Sequence, residues 1–62
     1  MCLSTVYAQG EDKREQIARN VATVKMRDGK LVFTDIMGVT TVVDADIETI
    51  DLMENFIFIR RR

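Results

Sequence analysis

The chain has 62 residues, of which 47% are hydrophobic, and its nine basic and ten acidic side chains leave a formal net charge of −1. One domain of this size buries only about 60% of the surface of its unfolded chain, so its core barely offsets conformational entropy. With a single cysteine there is no internal disulfide, and we expect a bound metal, oligomerisation or both to add stability. No apolar run approaches the roughly 20 residues that cross a bilayer, and no secretory signal pattern is present. The single cysteine without such a signal indicates a reducing cytoplasm.

Short strand patterns, separated by turn residues, run along the whole chain. The segment after Gln16 is ambiguous, because Ile17, Val21 and Val24 recur at helical spacing although valine disfavours a helix, and we prefer a short strand there. The predicted strands lie at residues 3–8, 15–18, 22–27, 30–36, 39–44, 47–52 and 56–60. Because the range 15–18 is the ambiguous one, the pattern predicts about six short strands.

Turn signals separate these strands. Gly10 ends the first strand, and the polar run at residues 11–16 is typical of a solvated loop or hairpin tip. The pair Asp28-Gly29 favours a type I′ hairpin turn, and Gly38 supplies a second turn. Asn55 is the expected positive-φ residue of the last turn. Turns at this spacing indicate an all-β barrel or sandwich formed by residues 1–62 as one domain.

The clearest alternation in the chain lies at residues 22–27. Ala22, Val24 and Met26 fall on one face, so we expect that face to contribute to the core. The chain has no proline to guard its sheet edges. Pairing between the edges of two copies is therefore a candidate mode of dimerisation.

Cys2 has the most distinctive position, since the chain has no other cysteine and no histidine. Removal of Met1 would leave Cys2 with an amine and a thiol that can close a five-membered chelate ring on a soft or borderline metal. If Met1 stays, its amine and the Cys2 amide nitrogen would join the thiolate. With Met1 removed, two chains related by a two-fold axis would supply four donors, the number for square-planar Ni(II) or Cu(II). The competing interpretation is a small buried hydrophobic residue, the commoner role of a free cysteine.

Five stretches of the chain carry a resemblance to a known family, and they are Met1-Cys2, Asn20-Val21-Ala22, residues 26–33, residues 34–38 and Ile50-Asp51-Leu52. On these stretches the chain resembles the CooT family of small nickel-binding proteins, which are associated with maturation of the nickel enzyme carbon monoxide dehydrogenase. The resemblance implies a small SH3- or OB-like barrel of antiparallel strands. It also implies a homodimer that binds one Ni(II) through Cys2 and acts as a metallochaperone or nickel store for a client enzyme.

A more distant resemblance is to the HypC chaperones of nickel–iron hydrogenase, which also begin with Met-Cys. Here Cys2 is followed by Leu3-Ser4-Thr5, so we place transfer of an iron centre well below nickel binding. An enzymatic role is disfavoured as well, because a catalytic Cys2 would need a general base and the chain has no histidine.

The main alternative is a small RNA- or protein-binding barrel in which Cys2 is incidental. A net charge of −1 disfavours nucleic acid, and the Arg60-Arg61-Arg62 cluster is interpreted as a solvated tail. Phe56 and Phe58 are expected in the core. The remaining candidate ligands are assigned structural roles. Asp44, Asp46, Glu48 and Asp51 are expected to form a solvated rim, and Met26, Met37 and Met53 to fill the core.

Overall fold

The computed structural model describes residues 2–10 and 12–62, so Met1 and the Glu11 part of the predicted polar loop lie outside it. The described residues form six β-strands and no helix, which confirms the all-β prediction. The strands are β1 (Ser4–Gln9), β2 (Arg14–Arg27), β3 (Lys30–Asp35), β4 (Thr40–Val43), β5 (Ala45–Asp51) and β6 (Phe56–Arg61). No helix in the described ranges is long and apolar enough to span a membrane.

The six strands form one mixed sheet in the order β4-β3-β2-β1-β6-β5. All neighbouring pairs are antiparallel except β1 and β6, which are parallel and therefore differ from the expected all-antiparallel arrangement. The sheet is not closed into a barrel, since β4 and β5 are its two edges among the described strands. Only Asp44 separates β4 from β5, so the chain passes from one edge to the other without the turn that pairs two strands in a hairpin.

Strand β2 combines two strands that the sequence predicted separately. Asn20, at the centre of β2, has a φ of 56°, and the pairing with β3 shifts register between Val21 and Thr23. Such an irregularity is a β-bulge, which bends a strand without ending it. The first half of β2 consequently pairs with β1 and the second half with β3, while Val21 pairs with both. Neither the bulge nor the tolerance of Asn20 for positive φ was recognised in the sequence.

The core lies on one face of the sheet and draws on five of the six strands. Its buried residues are Val6, Ala8, Val21, Leu31, Phe33, Ala45, Ile57 and Ile59. The predicted apolar face of residues 22–27 is oriented as expected, because Met26 lies opposite the core residue Leu31. Met26 is nevertheless 72% exposed whereas Leu31 is 1% exposed. All residues from 22 to 30 are exposed, so the prediction that this face contributes to the core is wrong.

The predicted turn residues have the expected backbone. Asp28 and Gly29 have φ values of 53° and 78°, which are typical of a type I′ hairpin turn between β2 and β3. Gly38 has a φ of 87° in the β3–β4 turn, and Asn55 has a φ of 60° in the β5–β6 turn. These three turns are confirmed.

The C-terminal arginines are exposed and form ion pairs with carboxylates. Arg60 lies 2.7 Å from a carboxylate oxygen of Glu48, and Arg61 lies 3.1 Å from one of Glu15. Arg62 contacts Asp44 and Asp46 at 3.0 and 2.8 Å, and it also donates to the Gly29 carbonyl oxygen. The three arginines are exposed, as the interpretation of a solvated segment expected, but Arg60 and Arg61 belong to β6 rather than to a tail. Their contacts tie β6 to β5, to the start of β2 and to the β2–β3 turn.

The contact between Arg62 and Asp46 predicts a measurable pH effect. The hydrogen bond from Arg62, aided by its charge, lowers the pKa of Asp46 against a smaller opposing effect of desolvation. Because the folded pKa lies below the unfolded one, the pair stabilises the fold at higher pH, and this contribution is lost as pH falls through the folded pKa. Arg62→Ala should raise the pKa of Asp46, as measured by a carboxyl-carbon NMR titration. An unchanged titration curve would show that the contact does not persist in solution, and Arg61→Ala provides the control.

Candidate metal centre at Cys2

The thiol of Cys2 is exposed and lies just before β1. Strand β1 has three strands on one side, β2, β3 and β4, and two on the other, β6 and β5, so Cys2 precedes a central strand of the sheet. An exposed sulfur at this position contradicts the interpretation of Cys2 as a small buried hydrophobic residue. It leaves the thiol accessible to a metal ion or to another protein.

One transverse row of paired residues crosses the sheet beside Cys2. In sheet order the row contains Asp35, Val21, Ser4 with its neighbour Thr5, Phe56 and Asp51. Strand β1 begins at this row, β3 and β5 end there, and β6 begins there. The β3–β4 turn, the β5–β6 turn and Cys2 therefore lie at the same end of the sheet.

The two turns are built alike. In the first, which we call the Asp35 turn (residues 35–39), Asp35 Oδ1 accepts hydrogen bonds from the amides of Met37 and Val39, both at 2.9 Å. In the second, the Asp51 turn (residues 51–55), Asp51 Oδ1 accepts from Met53 and Glu54 at 3.0 and 2.8 Å. Such side-chain caps on backbone amides favour a defined turn conformation.

Both turns are also tied to the strands next to them. The Ile36 amide donates to the Asn20 carbonyl oxygen at 2.9 Å, and the Thr5 amide donates to the Asn55 carbonyl oxygen at 3.0 Å. The second bond joins the Asp51 turn directly to the strand that follows Cys2. The end of the sheet around Cys2 is thus held by backbone and carboxylate hydrogen bonds.

Large apolar side chains at the tips of both turns are exposed. Met37 is 83% exposed and Met53 is 91% exposed, which contradicts the prediction that these methionines fill the core. Ile36 and Leu52 precede them in the two turns at 58% and 82% exposure. The sequence contains a repeat of Asp, an aliphatic residue and Met at residues 35–37 and 51–53, which was not recognised as a sign of two similar turns.

Within a single chain, the described residues contain no group of three or more His, Cys, Asp or Glu side chains placed to hold a metal ion. The acidic residues expected to form a solvated rim have other contacts. Asp44, Asp46 and Glu48 pair with arginines, while Asp51 caps its turn. The exposed Cys2 sulfur is therefore the thiolate donor of this end, and it needs further donors from the N-terminal backbone or from a second molecule.

An aromatic row lies on the sheet face opposite the core. The ring centroids of Tyr7 and Phe58 are 5.7 Å apart, those of Phe56 and Phe58 are 4.5 Å apart, and the Arg14 guanidinium lies 4.1 Å from the Phe58 centroid. The two phenylalanines are half-buried, whereas the alternate residues Ile57 and Ile59 are in the core, so the prediction of a phenylalanine core was wrong by one register position. On this face Arg14 covers the Phe58 ring, and Arg60 pairs with Glu48.

A surface groove lies away from Cys2. It has a volume of about 500 Å³ and is lined by Ala8, Gly10, Asp12, Lys13, Glu15 and Arg61. These residues lie at the end of β1 opposite Cys2, and their charges are of both signs. We therefore do not assign the metal centre to this groove.

The fold and the site together define a small all-β protein with one exposed thiol at the end of its central strand. The family model described as "CO dehydrogenase accessory protein CooT" matches residues 1–60, and the chain therefore belongs to the CooT family. A solved structure assigned as a CooT from Carboxydothermus hydrogenoformans is similar, with a TM-score of 0.91, 23% identity and 98% coverage of both chains. At this identity the likeness shows a shared fold. A comparison with curated proteins found no match.

Proposed function

We propose that this protein binds nickel through Cys2 as a homodimer and stores or delivers the metal during maturation of a nickel enzyme such as carbon monoxide dehydrogenase. Family membership supports an accessory role linked to that enzyme. The observation that carries the metal proposal is the exposed Cys2 sulfur, held at the start of a central strand. The accessory role is non-catalytic, and the unpaired thiol fits the reducing cytoplasm.

The donor chemistry requires two chains. One Cys2 residue offers a thiolate and one adjacent nitrogen, which is half of a square-planar N₂S₂ set for Ni(II). The described part of one chain offers no cluster that would complete the set. A second copy related by a two-fold axis would supply the same two donors in the correct symmetry. Nickel is then cargo held between subunits, where an incoming ligand can reach it and exchange.

The proposal makes a prediction about stoichiometry. Because each chain supplies half of the ligand set, a nickel titration should saturate at about one metal per two chains. Thiolate-to-nickel charge-transfer absorption would report the titration, and intact mass of the native protein would show whether the nitrogen donor is the Cys2 amine or the Met1 amine. Saturation at one metal per chain would contradict the shared site.

A pH series identifies the type of donor in the same titration. A thiol and an α-amine have ordinary pKa values of about 8.5 and about 7.7–8.0, so protons compete with nickel below neutrality. Affinity should therefore fall steeply between neutral and mildly acidic pH. An affinity that stays constant over this range would indicate carboxylate ligands and would contradict the assignment to Cys2.

A further inference from the structure

We infer that the outer face of the β2–β3–β4 part of the sheet is a docking surface for an acidic segment of a partner protein. We call this surface the cationic face, and its residues are Lys25, Arg27, Lys30, Val32 and Val42. It is separate from the proposed metal centre and does not depend on it.

Strand pairing places these five side chains on the side of the sheet opposite the core. Strand β3 buries alternate residues, so Lys30 and Val32 lie on its other face. Cross-strand partners share a face, and the partner of Lys30 is Arg27. In the next row Val32 lies between Lys25 on β2 and Val42 on β4. Three cations and two valines therefore form one continuous patch.

The cations of this patch are not neutralised within the described part of the chain. None of Lys25, Arg27 and Lys30 takes part in the ion pairs found there, in contrast to the three C-terminal arginines. Asp28 is the one acidic residue in the segment 22–34. Arg27 and Lys30 are moreover direct cross-strand partners, and like charges in this arrangement disfavour the hairpin. A carboxylate-bearing ligand would offset this repulsion, so the electrostatics favour an acidic partner.

The uncharged part of the cationic face favours a protein over nucleic acid or lipid. Val42 is 58% exposed, and Val32 beside it is half-buried. An apolar centre with a charged rim is typical of protein interfaces. The face has no aromatic side chain on which a base could stack, and it has no large apolar side chain of the kind that inserts into a lipid surface.

The hairpin turn of the cationic face lies at the end of the molecule opposite Cys2. Strand β1 begins beside Cys2 and runs parallel to β6, which ends next to Arg62. Arg62 donates a hydrogen bond at 3.0 Å to the carbonyl oxygen of Gly29 in the β2–β3 turn. A partner bound at this turn therefore leaves the Cys2 thiol accessible.

The test uses a fluorescent peptide of alternating glutamate and valine as the probe. Anisotropy with the full chain should show saturable binding of one peptide per chain, and added salt should weaken it because the contacts are ionic. Arg27→Gln with Lys30→Gln should weaken binding at least tenfold. The denaturant midpoint of this variant should stay the same or rise, because the repulsion between the two cations is removed.

A second double variant controls for net charge. Lys13→Gln with Arg19→Gln removes the same charge from exposed residues outside the cationic face and should change peptide affinity less than twofold. Equal loss of binding in both double variants would show attraction by net charge alone and would overturn the inference. Tighter binding of a single-stranded RNA of equal charge, or of phosphatidylserine vesicles, would overturn it as well.

Two further measurements separate the cationic face from the other interactions of the protein. Sedimentation of Arg27→Gln with Lys30→Gln should match that of the original protein. A change of oligomeric state would show that a second copy occupies the face, which would contradict the acidic segment. Nickel titration of the variant should also be unchanged, and joint loss of nickel and peptide binding would overturn the separation from the metal centre.

Discussion

Replacement of Cys2 by serine is expected to abolish nickel binding while leaving the fold intact. Cys2 is the single cysteine of the chain, there is no histidine, and the described residues of one chain contain no alternative metal cluster. A serine hydroxyl stays protonated near neutrality and is a much harder donor than a thiolate, so it does not replace the ligand that Ni(II) prefers here. The charge-transfer absorption should disappear, and isothermal titration should show no saturable site.

The fold of Cys2→Ser should survive because Cys2 precedes β1 and makes no contribution to the core. Sedimentation of the apoprotein and of the variant should both report a dimer, since the substitution changes no apolar residue of the strands. Nickel should stabilise only the original protein, by about 2.7 kcal/mol when free metal is 100 times the dissociation constant. A folded apo-monomer that dimerises only with nickel would show that the metal makes the interface.

Two methionine variants are the matched controls for this experiment. Met37→Leu and Met53→Leu each remove a thioether at the same end of the sheet while keeping an apolar side chain of similar volume. Both should bind nickel as the original protein does. Binding retained by Cys2→Ser but lost in either methionine variant would contradict the Cys2 assignment and indicate a thioether site.

Truncation of Leu31 is expected to have the largest effect on stability. Leu31 is 1% exposed and belongs to the core cluster, so Leu31→Ala should lower the free energy of unfolding by about 2–5 kcal/mol through lost burial and a residual cavity. A domain of this length has a total stability of only about 3–9 kcal/mol at the usual value per residue. Denaturant unfolding should therefore show a partly or wholly unfolded variant.

Met26 provides the matched control for Leu31. The two residues are cross-strand partners on β2 and β3, but Met26 is 72% exposed. Met26→Ala should consequently change the free energy of unfolding by no more than about 0.5 kcal/mol, as is usual for surface positions. An equal cost for the two substitutions would show that Met26 is covered in solution, against the structure described above.

The comparison of Met26 with Leu31 shows where prediction from the sequence reached its limit. Local signals were sufficient for three of the turns, because positive φ at Gly38 or Asn55 depends on a few neighbouring residues. They did not predict that residues 14–27 form one continuous strand, so the predicted polar loop at residues 11–16 is wrong for residues 14–16. The alternation at residues 22–27 also placed Met26 correctly on the core side. How far the core extends along the β2–β3 hairpin is decided by the elements packed over it, and the sequence pattern contains no information about them.

The C-terminal strand gives the same lesson for register. Residues 56–59 are Phe-Ile-Phe-Ile, so both faces are apolar and alternation cannot choose between them. The parallel pairing of β6 with β1 decides the question, because it places Ile57 beside Val6 and Ile59 beside Ala8 in the core. The two phenylalanines are left on the opposite face with Tyr7.

For the candidate site, the sequence by itself determined that the chain has one thiol, at Cys2, besides the thioethers of its methionines. The sequence also determined that the chain belongs to the family of CO dehydrogenase accessory protein CooT. Only the tertiary structure decided what surrounds it. The turns at Asp35 and Asp51 are separated by 16 positions in the chain (51 minus 35), and they meet at the Cys2 end because strand pairing aligns both with the start of β1. Pairing register is a long-range property, since it depends on which strands become neighbours, whereas residue chemistry and turn propensity are local.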